Sequence, residues 1–154
     1  MKKTLLAAAL GLGALAAAAT ANAQSASDMI KFRQSGYSFM SWNMGNIKAQ
    51  LEGSNYDQAR VIAAANVIAS IANSGMGALY APGTDKGTGW KETRLKPEFF
   101  AEQDKVREIA VNFVQQANKL QQVAANGDKA AVAAQFGEVG KACKACHDNY
   151  RKPE

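Results

Sequence analysis

Both cysteines of the 154-residue chain and its single histidine fall within five positions, Cys143-Lys144-Ala145-Cys146-His147. The order is C-x-x-C-H, the spacing of a c-type haem attachment site. On a helix, residues three apart share a face, so the two thiols can add to the two vinyl groups along one side of a porphyrin. The imidazole that follows swings beneath the iron as an axial ligand. The motif therefore predicts one covalently bound haem c per chain, with His147 on the metal.

Three other chemistries use paired cysteines. A thioredoxin-like redox pair needs a βαβ setting and a helix N-terminus to stabilise its thiolate, whereas this pair lies toward the end of a helical run. A zinc site needs four ligands, usually from a second pair elsewhere, and the chain has no other Cys or His. A disulfide between positions three apart strains a helix, because bridged Cα atoms have narrow limits.

The elements that must position this motif are helical. Apolar residues recur every three or four positions, and no stretch alternates with period two. The first run places Met29, Phe32, Gly36, Tyr37, Met40, Met44, Ile47 and Leu51 on one face, entered through Ser25 or Ser27 with Asp28 near the start and stopped by Gly53. A second opens at Ser54-Asn55 with Asp57 in its first turn and carries Val61, Ala65, Ile68 and Ala72 before Gly75 and Gly77. Ala81 to Trp90, with Pro82, Gly83, Gly87 and Gly89, is the one long loop. Pro97 suits the first turn of a third helix bearing Phe99, Gln103, Val106, Ala110, Phe113, Ala117, Leu120 and Ala124. Asn126-Gly127 ends it, with Gly where left-handed geometry costs little. Asp128 caps a fourth helix presenting Val132, Phe136, Val139, Cys143, Cys146, His147 and Tyr150. Four helices of about 20–25 residues joined by short turns and one longer connection make an all-α, antiparallel four-helix bundle.

Residues 1–23 stand apart from that bundle. Met1-Lys2-Lys3, an apolar run from Leu5 to Ala19, and Ala21-Asn22-Ala23 read as a secretory signal with an A-x-A cleavage site. Cleavage before Gln24 leaves one domain of 131 residues, 24–154, in the bacterial periplasm. Removing Lys2 and Lys3 from 18 basic groups leaves 16 against 13 acidic, a net charge of +3. That is too small to indicate nucleic acid or an anionic membrane, and no other segment is long and apolar enough for an anchor.

The whole mature chain resembles the class II cytochromes c, specifically the cytochromes c′. The likeness is carried by Lys31-Phe32-Arg33-Gln34-Ser35, Tyr80-Ala81-Pro82-Gly83-Thr84, Lys96-Pro97-Glu98, Phe136-Gly137-Glu138-Val139-Gly140, and the run from Cys143 to Lys152. The resemblance implies that Arg33 and Gln34 meet a haem propionate, with Glu92 and Thr93 approaching the same edge, and that Arg151 lies on the proximal side. It also implies a dimer built through the first two helices. The low-spin branch of the class ligates iron through a Met at the position held here by Tyr37. Tyr37 therefore covers the distal face without ligating, Met40 being its neighbour one turn on, and the iron is five-coordinate and high-spin. A vacant iron face walled by an aromatic ring admits NO and CO.

Two functions follow. One is binding, buffering or transport of NO; the other is electron transfer, with Lys141, Lys144, Arg151 and Lys152 steering an acidic redox partner. Enzymatic peroxidase chemistry lacks a distal histidine to move the proton, so the chain reads as a non-enzyme.

Overall fold

A computed structural model describes residues 24–153; the expected signal segment, 1–23, lies outside them. Among the described residues four long helices, one single α-turn and one 3₁₀ turn, Met76–Leu79, make up the helical fold: α1 Ala26–Glu52, α2 Gln58–Ala72, α3 Glu98–Ala101, α4 Gln103–Asn126 and α5 Lys129–Tyr150. Among the described residues there is no β-strand beyond two isolated bridges, Thr88 with Glu92 and Leu95 with Arg151. No described helix is long and apolar enough to cross a membrane.

The helix starts are locally encoded. Ser25, Asp57 and Asp128 each accept a hydrogen bond from the backbone N–H three residues on, at 3.1, 3.2 and 2.8 Å, satisfying a donor that the first turn otherwise leaves unpaired. α1 packs along α2, α2 along α4 and α4 along α5, while α1 and α5 barely meet. The α2–α4 pair is antiparallel: Asn73 bonds Asn118, Asn66 bonds Gln121, and Gln58 reaches the Ala124 carbonyl. Small residues on α2, with Ala64, Ala65 and Ala69 buried, let its neighbours approach closely.

The main core joins Met40 and Ile47 of α1, Val61 and Ile68 of α2, Ala117, Leu120 and Ala124 of α4, and Val132 and Val139 of α5. Each fully buried branched side chain contributes roughly 1.5–3 kcal/mol. A second cluster, Leu95, Phe99 and Tyr150 with Tyr80, Phe100, Val106, Ile109 and Cys146 against it, lies where the loop meets the end of α5.

Several expectations are corrected. The inward line of α1 runs through Ile30, Arg33, Met40, Asn43 and Ile47, and Phe32 is 48 % exposed. Hydrophobicity alone chose Phe32 over its charged neighbour, and the loop reverses that choice by supplying Arg33 with buried partners. The third helix is broken at Glu102, whose φ of −111° and ψ of 46° leave the helical region. There the Glu102 carboxylate accepts the Tyr150 hydroxyl at 2.8 Å, and Phe99 turns into the second cluster. Gly127 is extended, at φ −96° and ψ 162°, and not left-handed. A Cβ there would stand 2.7 Å from the Val123 carbonyl oxygen, so close approach, not handedness, accounts for the glycine.

The candidate haem site

Cys143 and Cys146 lie one turn apart on α5, half-buried and unbridged. Cys143 packs against the main core and Cys146 against the second cluster, so the pair marks the seam between the two. Burial pushes both thiols up from their ordinary pKa, with each other's proximity adding to the rise at Cys143. They are protonated at neutral pH, unlike the thiolate of a redox pair at a helix N-terminus. Among the described residues no group of three or more Cys, His, Asp or Glu converges as a metal cluster would, so the motif finds no further ligands for a structural zinc.

His147 occupies the last turn of α5 and is exposed. Its pKa is lowered by partial burial, then by the positive charges of Arg151 and Arg94, with Asp148 opposing. A neutral imidazole is the form that ligates a metal. The end of α5 is firmly held. Lys96 N–H donates to the Tyr150 carbonyl at 2.9 Å, Lys152 N–H to Arg94 O at 2.8 Å, and the Lys96 ammonium to the carbonyls of Asp148 and Asn149 at 3.2 Å each. A cation at these last carbonyls also complements the helix dipole. Arg94, Lys96, Asp148, Arg151 and Lys152 surround a cleft of about 350 Å³ beside His147. Lys141 and Lys144, expected to extend that basic rim, are instead paired with Glu138 at 2.7 Å and Asp148 at 2.5 Å.

Tyr37 of α1, one helical turn after Arg33, is 41 % exposed. Burial raises its pKa, Cys146 and Cys143 adding to the rise while Tyr80 and Arg33 oppose it. Met40 is buried in the main core against which Cys143 packs.

Arg33, only 4 % exposed, forms the clasp of the loop. Its Nη1 donates to Leu79 O at 3.3 Å and Thr84 Oγ1 at 2.8 Å; its Nη2 donates to Thr84 O and, at 2.6 Å, to Thr93 Oγ1. Its guanidinium carbon lies 4.8 Å from the centre of the Tyr80 ring. Burial lowers the Arg33 pKa, against the opposing effects of Tyr80, Tyr37 and Asp85. Gln34 holds the same loop from outside: its amide donates to Lys91 O, and its oxygen accepts from the N–H groups of Trp90 and Lys91. Thr93 is thus buried within the Arg33 network, whereas Glu92 is exposed and Arg151 projects beside His147.

Reading the sequence alone placed Tyr80 and Thr84 within the family likeness but gave them no role at the site, because the local signal of that stretch is turn punctuation. It also missed the Phe99–Tyr150 pair that carries Tyr80 toward α5, the rings meeting edge to face at 5.7 Å.

The residues fit a covalent haem. Two protonated thiols share a face, a neutral imidazole follows them, and α1 and α5 are the neighbouring helices whose contact is slight. Among the described residues the buried guanidinium of Arg33 has only neutral oxygen atoms as hydrogen-bond partners. A buried charge is normally balanced by an opposite one, and a carboxylate at this edge would supply it.

Comparison with known proteins agrees with this geometry. The family model for cytochrome c′ matches residues 28–151. The chain is 57 % identical over 153 residues to cytochrome c′ of Allochromatium vinosum, covering 98 % of this chain and 99 % of that protein. Among solved structures, a cytochrome c′ with ligand-controlled dimer dissociation superposes with a TM-score of 0.81 at 58 % identity, covering 85 % of this chain and 99 % of the other. The Thermochromatium tepidum cytochrome c′ gives a TM-score of 0.80 at 53 % identity, covering 84 % and 98 %. A C-x-x-C-H at the seam of a four-helix bundle, matched along nearly its whole length, places this chain in the cytochrome c′ family, whose haem c is held covalently through the cysteines of that motif.

Proposed function

We propose that this chain is an exported, periplasmic haem protein that binds NO and CO at an iron ligated by His147 and by no other side chain. The observation that carries the reading is Tyr37: one helical turn after the buried Arg33 on α1, and near enough to Cys143 and Cys146 for them to act on its titration, stands a phenol, neither thioether nor imidazole. Raised above its ordinary pKa by burial, it stays protonated at neutral pH and is a poor ligand that still fills space. Haem supplies the iron on which a diatomic gas binds; the chain's own residues set access and field. Tyr37 and Met40 wall the face opposite His147, and Arg33, with Gln34 and Thr93 at the same edge and Glu92 at its margin, presents the charge that a propionate requires.

Solved structures of the Alcaligenes xylosoxidans cytochrome c′ support the ligand class, one holding CO and another NO, at 31 % and 29 % identity. NO buffering or transport, without catalytic turnover, is the role this site suits. Residues 1–23 act as the export signal, and export explains how two cysteines meet haem outside the cytoplasm. The exposed aromatic face of α1, Phe32, Phe39 and Trp42, is the contact surface of a homodimer; one similar structure is a dimer whose dissociation its ligand controls.

The test is the electron paramagnetic resonance spectrum of the ferric holoprotein, followed by NO and CO titration of the ferrous form. A high-spin signal and saturable binding are expected. A low-spin spectrum of methionine type, unmoved by NO, overturns the reading. Electron transfer is the second reading, favoured by the basic cleft beside His147, where Arg94, Lys96, Arg151 and Lys152 outnumber Asp148. An acidic redox partner reducing the holoprotein at a rate that falls steeply with salt would bring it forward.

A further inference from the structure

We propose that Gly140 of α5 is a positioning residue for the haem: its missing side chain leaves the helix surface bare one turn before Cys143, so that the porphyrin seats flat against α5. The inference rests on covalent attachment through Cys143 and Cys146, and not on which gas the iron binds. Every other glycine among the described residues has a visible reason or lies at the surface. Gly75, Gly83 and Gly87 adopt positive φ, and a Cβ at Gly36, Gly53, Gly89 or Gly127 would stand 2.5–2.9 Å from a neighbouring atom. Gly45, Gly77 and Gly137 are exposed. Gly140 alone is half-buried, inside a helix, with nothing within 4 Å of an added Cβ beyond its own helix.

A glycine inside a helix is less favourable than alanine, and no protein contact of Gly140 offsets that loss. Its place on α5 supplies the reason. Gly140 lies three residues before Cys143 and seven before His147, spacings that share a helix face. Helical side chains lean toward the N-terminus, each covering the turn before its own Cα. The Cys143 side chain therefore leans over the turn that contains Gly140, and that of His147 over the turn that contains Cys143. A porphyrin is wider than the ~5.4 Å of one turn, so a ring bonded to both cysteines must reach past that turn in one direction. Toward the C-terminus the way is filled, since Tyr150, 2 % exposed, packs there with Leu95 and Phe99. Toward the N-terminus it is clear at Gly140, on a helix whose contact with α1 is slight. A side chain at 140 would stand between the ring and the helix that carries its iron ligand.

The experiment compares the ferric holoproteins of Gly140→Ala, Gly140→Leu and Gly137→Ala with the parent by thermal melting, electron paramagnetic resonance and intact mass. Gly137→Ala, on the exposed face, should gain about 2–4 °C from helix propensity and keep the parent's resonance signal. Gly140→Ala should melt at or below the parent and shift the signal, because the added methyl tilts the ring. Gly140→Leu should lose covalent haem from most of its chains. Gly140→Ala gaining as much as Gly137→Ala with the parent's signal, or Gly140→Leu loading haem as fully as the parent, overturns the seating role. Should Gly140→Leu not accumulate, the Gly140→Ala comparison decides alone, since a methyl with no protein neighbour does not unfold the helix by itself. A parent chain without covalent haem would remove the attachment on which the inference rests, and its intact mass tells that failure from this one.

Discussion

Replacing Gly89 by alanine should detach the loop from the first helix. A Cβ at Gly89 would stand 2.5 Å from the Lys31 backbone nitrogen, 2.7 Å from the Lys31 Cα and 2.8 Å from Gln34 Oε1. The first two are main-chain atoms inside α1 and cannot turn away as a side chain can, so the loop must retreat by close to 1 Å to restore van der Waals contact. Retreat stretches Gln34 Nε2 to Lys91 O at 2.9 Å, Trp90 N–H to Gln34 Oε1 at 2.8 Å, Trp90 Nε1 to Ser35 Oγ at 2.7 Å, and Ser27 Oγ to Thr88 O at 2.7 Å. It also moves Trp90 from beneath the Lys31 ammonium, 4.3 Å from the ring centre.

These groups are exposed and water replaces lost partners, so each bond counts at the low end of ~0.5–1.5 kcal/mol and the cation contact at ~0.5 kcal/mol. Together the loss is about 2.5–3 kcal/mol. Stiffening the unfolded chain offsets ~0.4–1 kcal/mol of it, leaving about 2 kcal/mol. For a domain of this size that lowers the melting temperature by about 6–10 °C. Guanidinium unfolding of the holoprotein, followed in the Soret band and by far-ultraviolet circular dichroism, measures it. Gly137→Ala is the contrast: it lies within α5 with nothing inside 4 Å of the added carbon, and helix propensity alone should stabilise it by ~0.5–1 kcal/mol. Gly89→Ala as stable as the parent, with an unchanged m-value, would refute the steric argument.

Tyr150 gives a pH dependence. Burial, then its bond to Glu102, raises its pKa to about 12, so between pH ~10 and ~12 the unfolded chain loses a proton that the folded chain keeps. Stability should fall over that interval, and Tyr150→Phe should flatten the fall in alkaline unfolding curves. Tyr56 has a buried hydroxyl with no hydrogen-bond partner, and leaving such a group unsatisfied costs ~1–3 kcal/mol. Tyr56→Phe should therefore hold or raise the denaturation midpoint, and a clear drop would show a partner the described contacts lack. Trp42 is 61 % exposed and stacks with Phe39 at 5.7 Å; Trp42→Glu should shift the proposed dimer to monomer in analytical ultracentrifugation while the Soret spectrum stays the same, and an unchanged sedimentation coefficient would move the proposed contact off this face.

What could be read from the chain itself is what neighbouring residues decide among themselves. The haem chemistry needs only the order Cys143, Cys146, His147 on one helical face, and the helix starts need only Ser25, Asp57 and Asp128 three residues ahead of an unpaired N–H. The antiparallel bundle followed from apolar spacing and turn lengths, which are also local quantities. Arg33 marks where that reasoning stops. Its charge argues for solvent, yet it is buried because Thr84 and Thr93, more than fifty residues away, bring oxygen atoms to its fork. Its burial turns Phe32 outward. Tyr80 reads as part of a turn until Phe99 and Arg33 fix its ring, and the break at Glu102 has its partner in Tyr150, forty-eight positions on. In each case a hydrogen bond or ring contact between distant segments outweighs a local preference of ~1 kcal/mol or less, and only the folded chain brings those segments together.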